Sequence, residues 1–163
     1  AACSTGEEAY SVAMLLREHF PELASWKLEL LATDISQRVL AKAAAGLYTA
    51  REIGRGLPRG LLERWFVAED RHWRVCAAIR ALVQFQALNL QKPFPPMEPF
   101  DLVFLRNVLI YFDDATKHDV CLRIARLLRP GGILVLGSAD ALRDTRLPLR
   151  PLHCEPLVAY VAT

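Results

Sequence analysis

Apolar residues at Ala9, Val12, Ala13, Leu15 and Leu16 fall on one helical face and predict a helix that runs to about Phe20 and stops before Pro21. Thr5, with Glu8 three residues on, has the form of a capping box at its start, and Gly6 lets the backbone turn tightly there. Trp26 to Thr33 is an apolar run interrupted by Lys27 and Glu29, which reads as a largely buried strand ending at Asp34. Ser36 to Ala45 is helical again, with Val39, Leu40 and Ala43 on one side and Gly46 as C-cap.

The pattern changes from Leu47 to Leu90. Pro58 opens a short helix through Trp65, and two strand-like runs follow, Trp73 to Ile79 and Leu82 to Leu90, which suit a small antiparallel sheet of their own. This stretch, 47–90, reads as an insertion. Lys92 to Pro99 carries three prolines and is a loop. Phe100 to Leu105 is a buried strand; Asp113 or Asp114 caps a helix carrying Val120, Leu122, Ile124, Leu127 and Leu128; Pro130-Gly131-Gly132 ends it. Ile133 to Gly137 is a further core strand, and the two short runs around Glu155-Pro156 pair as a closing hairpin. Strands alternating with helices, with an antiparallel end, predict an α/β sheet of the doubly wound kind.

Composition narrows the class. The chain has 163 residues, 53% hydrophobic and 23% charged, so it makes about one domain with a proper core and is neither disordered nor collagen-like. A net charge of +2 argues for no polyanionic partner. The longest uncharged stretch, Ala81 to Gln91, is far short of the roughly 20 residues that span a bilayer. Cys3, Cys76, Cys121 and Cys154 are widely spaced, as are His19, His72, His118 and His153, so no metal site is expected and reduced thiols in a cytoplasmic protein are. Glu7 and Glu8 stand where the apolar core of a signal peptide would have to be. The chain begins at Ala1, directly in front of a motif, as a piece of a longer chain would.

In a doubly wound sheet the ligand sits outside the carboxyl ends of the strands. The residues placed there are 2–8, Asp34, Asn89-Leu90 and 106–112. The small-residue loop from Ala2 to Gly6 lets a ligand approach the backbone, but it lacks the glycine fingerprint of a dinucleotide site. Its two carboxylates, Glu7 and Glu8, suit a cation better than a pyrophosphate. Asp34 lies at the offset where an acid takes the ribose hydroxyls of an adenosine cofactor, although capping the next helix would also explain it. In Arg106-Asn107-Val108-Leu109-Ile110-Tyr111-Phe112, the apolar Val108, Ile110 and Phe112 read as core, and Arg106, Asn107 and Tyr111 either satisfy one another or face a ligand.

Taken together, Cys3-Ser4-Thr5-Gly6-Glu7-Glu8, Ala32-Thr33-Asp34-Ile35, Leu88-Asn89-Leu90, the 106–112 segment and Leu127-Leu128-Arg129-Pro130-Gly131-Gly132 resemble, in order and over nearly the whole chain, the catalytic domain of the CheR-type chemotaxis methyltransferases. The resemblance implies a Rossmann-like S-adenosylmethionine-dependent methyltransferase sheet with an inserted small antiparallel β-subdomain, and methylation of glutamate carboxylates on chemotaxis receptors. It implies that Glu8 helps hold the cofactor and Asp34 binds its ribose. Asn89 and Leu90 would flank the adenine, Arg106 and Asn107 would bind cofactor where they line the transfer site, and Tyr111 would stand beside the reacting centre. Arg106 and Tyr111 are thus the catalytic candidates, S-adenosylhomocysteine is the product, and the partners are glutamate-rich cytoplasmic receptor helices, with neither nucleic acid nor membrane insertion. The acceptor is already an anion at pH 7, its unperturbed pKa being about 4.3, so no general base is required.

Two departures set further expectations. Only Ala1-Ala2 correspond to the family's first core strand, so weak or no cofactor binding is expected of the chain as written. The segment 67–72 has no glycine where some members carry a glycine-containing loop that grips a receptor C-terminal pentapeptide, so a tether-independent member is expected. Seven arginines between Arg51 and Arg80 against four acidic residues leave a local excess of three positive charges, either a solvated surface or a field that steers acidic helices. The alternatives are a methyltransferase with another acceptor, disfavoured because 107–111 lacks the prolines of amino-methylating enzymes, and a cofactor-sensing or scaffolding module that no longer methylates.

Overall fold

The structure, a computed structural model, describes residues 1–140, 142 and 146–163. The chain forms two compact units, Cys3–Ala87 and Ala1–Ala2 with Leu88–Thr163.

The unit Cys3–Ala87 contains α1 (Glu7–His19), a 3-10 turn (Pro21–Ser25), β1 (Leu30–Asp34), α2 (Gln37–Ala45), β2 (Leu47–Thr49), α3 (Ala50–Ile53), α4 (Arg59–Trp65), β3 (Phe66–Glu69), β4 (His72–Val75), α5 (Ala77–Arg80) and β5 (Val83–Ala87). β1 and β5 pair in parallel, from Leu30 opposite Val83 to Asp34 opposite Ala87. A second sheet runs in the order β2-β4-β3, antiparallel throughout.

Three expectations are corrected here. The run Leu82–Leu90 was expected to pair with Trp73–Ile79; instead β5 lies beside β1, and the antiparallel partners of β4 are β2 and β3. A short apolar run reads alike in either setting, so periodicity could not choose its partner. The strand expected from Trp26 begins only at Leu30, and Trp26 itself is exposed. The buried face of α1 is Tyr10, Ala13 and Met14, while Leu15 is 45% exposed. The apolar positions first chosen missed Tyr10, whose ring packs against Tyr48 and Phe85 while its hydroxyl donates to the Ala43 carbonyl at 2.8 Å.

The other unit holds β6 (Phe100–Leu105), a 3-10 turn (Leu109–Tyr111), α6 (Asp114–Leu127), β7 (Leu128–Leu136), β8 (Leu149–Cys154) and β9 (Leu157–Ala162). Its sheet order is β6-β7-β9-β8. β6 and β7 are parallel across α6, and β7-β9 and β9-β8 are antiparallel, which includes the expected closing hairpin. Asp113 is the N-cap of α6, accepting the Thr116 N–H at 2.7 Å. Leu128 ends the helix, and Pro130-Gly131-Gly132 lies inside β7, where the register with β6 slips between Phe100 and Leu102. The core gathers Leu105, Leu109, Val120, Cys121, Ile124, Leu134 and Leu136.

Candidate active site

In the unit Cys3–Ala87 the candidate residues are organised by the loop that enters α1. The Cys3 N–H donates to the Thr33 carbonyl at 2.8 Å, which fastens the loop to β1, and the Gly6 N–H returns to the Cys3 carbonyl at 2.9 Å. Ser4 has φ 48 and Gly6 φ 90, so the loop winds through the left-handed region just before the helix. A Cβ built on Gly6 would lie 2.9 Å from the Ala43 Cβ, so only glycine lets the loop settle on α2. The Tyr48 hydroxyl donates to the Thr5 carbonyl at 2.7 Å. The expected capping box is absent: the N-cap is Gly6, which has no side chain to offer, and the Thr5 hydroxyl donates to the Glu7 carboxylate at 2.6 Å instead of closing on Glu8.

Asp34 ends β1 half-buried. Its Oδ2 accepts the Ser4 N–H at 2.9 Å and its Oδ1 the Ser36 N–H at 3.0 Å. The carboxylate therefore caps the loop and the turn into α2 at once, which joins the two explanations left open by the sequence. A carboxylate offers about four lone-pair sites, so each oxygen keeps one for a ligand hydroxyl. Ile35, the next residue, is 67% exposed and puts an apolar surface beside that acid. The sequence reading gave it no role, although an isoleucine directly after a strand-end acid was a signal. Glu8 is half-buried in the first turn of α1. The donor set of this loop is anionic and rich in backbone groups, which fits a cationic adenosine cofactor with a ribose diol.

A cleft of about 550 Å³ opens in the same unit beside α1, with Met14, Leu57 and Leu61 in its apolar lining and the Glu7 and Glu52 carboxylates among its polar groups. Neither Glu8 nor Asp34 lines it. Much of the basic stretch is neutralised locally, since Arg59 pairs with Glu63, Arg64 with Glu18 and Arg74 with Glu69.

In the other unit, Asn89 makes a turn in which its Oδ1 accepts the Gln91 N–H at 2.9 Å, and Leu90 is buried at 8% exposure with its carbonyl held by Arg123. After β6 the chain turns sharply. Asn107 has φ 57, and its N–H donates to Oδ2 of Asp140 at 2.6 Å. Arg106 and Asn107 are exposed and Tyr111 is 77% exposed, so these polar groups lie at the surface of the unit and not in its core. One core assignment is corrected: Ile110 is half exposed, and the buried residue is Leu109 at 1%. A 3-10 turn over 109–111 turns Leu109 inward and Ile110 outward. Asp140, only 5% exposed, was not singled out from sequence, since it lies 33 residues from Asn107 with no motif to mark it.

Thiol chemistry is disfavoured on both sides. Burial, and next the charge of Asp34, push the Cys3 thiol up to about 11; burial, and next Asp140, push Cys121 up to about 12. Among the described residues no three His, Cys, Asp or Glu side chains gather to hold a metal, and no helix is long and apolar enough to cross a membrane.

Residues 1–156 match the family model described as "CheR methyltransferase, SAM binding domain". The chain is 42% identical to chemotaxis protein methyltransferase 1 of Pseudomonas aeruginosa, over 99% of this chain and 61% of that protein. It is 39% identical to chemotaxis protein methyltransferase Cher2 of Pseudomonas putida, over 99% of this chain and 60% of that protein. It thus spans about three fifths of these relatives. Among solved structures, a TehB-like SAM-dependent methyltransferase from Corynebacterium glutamicum superposes with a TM-score of 0.54 at 12% identity, over 99% of this chain and 74% of that one, a likeness of fold.

Proposed function

The chain belongs to the CheR methyltransferase family as a SAM-binding domain, and from that premise we propose that it carries the catalytic centre of a protein-glutamate O-methyltransferase acting on chemotaxis receptors. The observation that supports the reading is the carboxylate of Asp34: fixed at the end of β1 by two backbone N–H groups, it keeps acceptor capacity on each oxygen that ribose hydroxyls can use. S-adenosylmethionine, when bound, supplies a methyl group activated on a sulfonium.

This chain's residues do the rest. Asp34 accepts from the ribose hydroxyls, and Glu8 adds negative charge at the loop that faces the cofactor. Asn89 and Leu90 flank the adenine, and Asn107 lines the transfer site. Arg106 orients the acceptor carboxylate through its planar, doubly donating guanidinium, and Tyr111 hydrogen-bonds beside the point of transfer. The acceptor glutamate is ionised at neutral pH, so no residue has to remove a proton, which accords with Cys3 and Cys121 being held as neutral thiols. Alignment is the main contribution, worth up to about 7–11 kcal/mol in well-oriented systems.

The partners are receptor helices rich in glutamate, reached in the cytoplasm. The inserted sheet supports action without a pentapeptide tether. β3 and β4 are joined through Asp70 and Arg71 alone, with Glu69 opposite His72, so the hairpin has no long loop with which to grip a peptide. The decisive experiment incubates the protein with methyl-labelled S-adenosylmethionine and a receptor cytoplasmic fragment. Label transferred to the receptor and released as methanol by mild alkali supports a carboxylate ester. Alkali-stable label indicates an amino acceptor, and no transfer indicates a binding module.

A further inference from the structure

We propose that Asp140 is a positioning residue of this site, its carboxylate setting the turn that presents Arg106 and Asn107. The inference rests on the cofactor and acceptor roles given above to those two residues. Asp140 lies just past β7, in a turn closed by its own N–H on the Gly137 carbonyl at 2.9 Å. It is only 5% exposed, whereas Arg106 and Asn107 are exposed.

A buried carboxylate is costly unless its oxygens are satisfied. Its Oδ2 is used on the Asn107 N–H at 2.6 Å; its Oδ1 has no hydrogen-bond partner among the described residues. On the helix side it meets α6, where its charge is felt at the Cys121 thiol. Among the described residues the hydrogen bond of the carboxylate therefore goes to the turn that follows β6.

That turn needs holding. Asn107 has φ 57, a conformation that residues with a Cβ adopt rarely, asparagine among the more tolerant. The approach is also shaped by Gly137. A Cβ built there would lie 2.8 Å from Oδ2 of Asp140, 2.9 Å from the Asn107 nitrogen and 3.1 Å from its Nδ2. Only a glycine lets β7 come close enough for the carboxylate to reach the backbone of the turn. Gly137, Asp140 and Asn107 thus form one device, built from the ends of two adjacent parallel strands, that fixes the direction in which residues 106 and 107 leave the sheet.

The test compares Asp140→Ala with Asp140→Asn, because asparagine keeps an acceptor of the same reach while discarding the buried charge. Three quantities are read: amide hydrogen exchange at Asn107 in ligand-free protein, affinity for S-adenosylhomocysteine by calorimetry, and melting temperature. Asp140→Ala should speed exchange at Asn107 by about tenfold or more and weaken the ligand by about tenfold, the scale of one charge-assisted hydrogen bond. Asp140→Asn should keep both within about threefold of wild type. A merely structural acid would lower the melting temperature while leaving Asn107 protected, or would make the two variants equally poor at binding; either result overturns the proposal. Should the alanine variant not fold, the asparagine variant decides alone, since faster exchange at Asn107 in a folded Asp140→Asn protein contradicts the positioning role. Exchange is read without ligand, so a wild type that bound no S-adenosylhomocysteine, the outcome expected of a chain with only Ala1-Ala2 of the first core strand, would leave the exchange result to decide, and affinity is then read on the full-length protein.

Discussion

The backbone N–H of Ser4 donates to Oδ2 of Asp34 at 2.9 Å, tying the loop before α1 to the end of β1 across thirty residues. Asp34 thereby shapes the loop and remains an acceptor for a ligand. Replacing it removes both functions, so Asp34→Ala should weaken S-adenosylhomocysteine by about a hundredfold or more, given roughly 1.5–3 kcal/mol for each charge-assisted bond lost. The Ser4 N–H is exposed to water and can be resolvated, so the melting temperature should move much less. Calorimetry and thermal melting on the same variant separate the two effects; unchanged affinity would remove Asp34 from the site.

Gly6 sits at φ 90 with the Ala43 Cβ within 2.9 Å of where a side chain would begin. Gly6→Ala adds left-handed strain of roughly 1–2 kcal/mol to an overpacking cost of about 1–3 kcal/mol against α2. Denaturant melts should show a loss of at least about 2 kcal/mol, and a loss below about 0.5 kcal/mol would mean that the loop is not packed as described.

What could be read from the sequence follows from how local each signal is. The helix of α2 and its Gly46 cap, the Asp113 cap of α6 and the tail hairpin are written in neighbouring residues, and all of them form as expected. β5 was misassigned because its apolar run carries no mark of its partner 53 residues earlier, Leu30 standing opposite Val83. Ile110 was placed in the core because it is apolar, and its apolar character does not reveal which way a 3-10 turn rotates the side chains. Asp34 was singled out by its offset from the loop motif. Asp140 could not be, since nothing local distinguishes a buried acid in a Ser-Ala-Asp stretch from a surface one.

Acid should expose a pair that joins α2 to α3. Hydrogen bonding from Lys42 first, then from the Thr49 backbone, holds the Glu52 carboxyl down at about 2, against the usual 4.5. Because the folded value is the lower one, the stabilisation is present in full above pH 4.5 and disappears as pH falls from 4.5 towards 2. The shift sets an upper bound of roughly 3 kcal/mol, and with Lys42 partly in solvent a contribution of about 1–2 kcal/mol is expected. Glu52→Gln should lose that amount at pH 7 and converge with the wild type near pH 2 in urea melts. Parallel stability curves would show that the pair contributes nothing.

Tyr111 offers the cleanest separation of chemistry from folding. It is 77% exposed at the end of the 3-10 turn after Asn107, so its hydroxyl has no part in the packing of the unit and removing it leaves no buried group unsatisfied. A surface change of this kind moves stability by no more than about 0.5 kcal/mol. If the hydroxyl hydrogen-bonds beside the transferring methyl, Tyr111→Phe gives up one interaction made during transfer, and turnover should fall by about tenfold, the equivalent of roughly 1.4 kcal/mol. Affinity for S-adenosylhomocysteine should stay within about threefold, because the lost bond serves the acceptor side of the reaction. The comparison is made with saturating methyl donor and a receptor fragment, and the expected signature is a lower kcat at an unchanged melting temperature. Full turnover in Tyr111→Phe would assign the phenol to solvent and leave Arg106 as the acceptor-facing group.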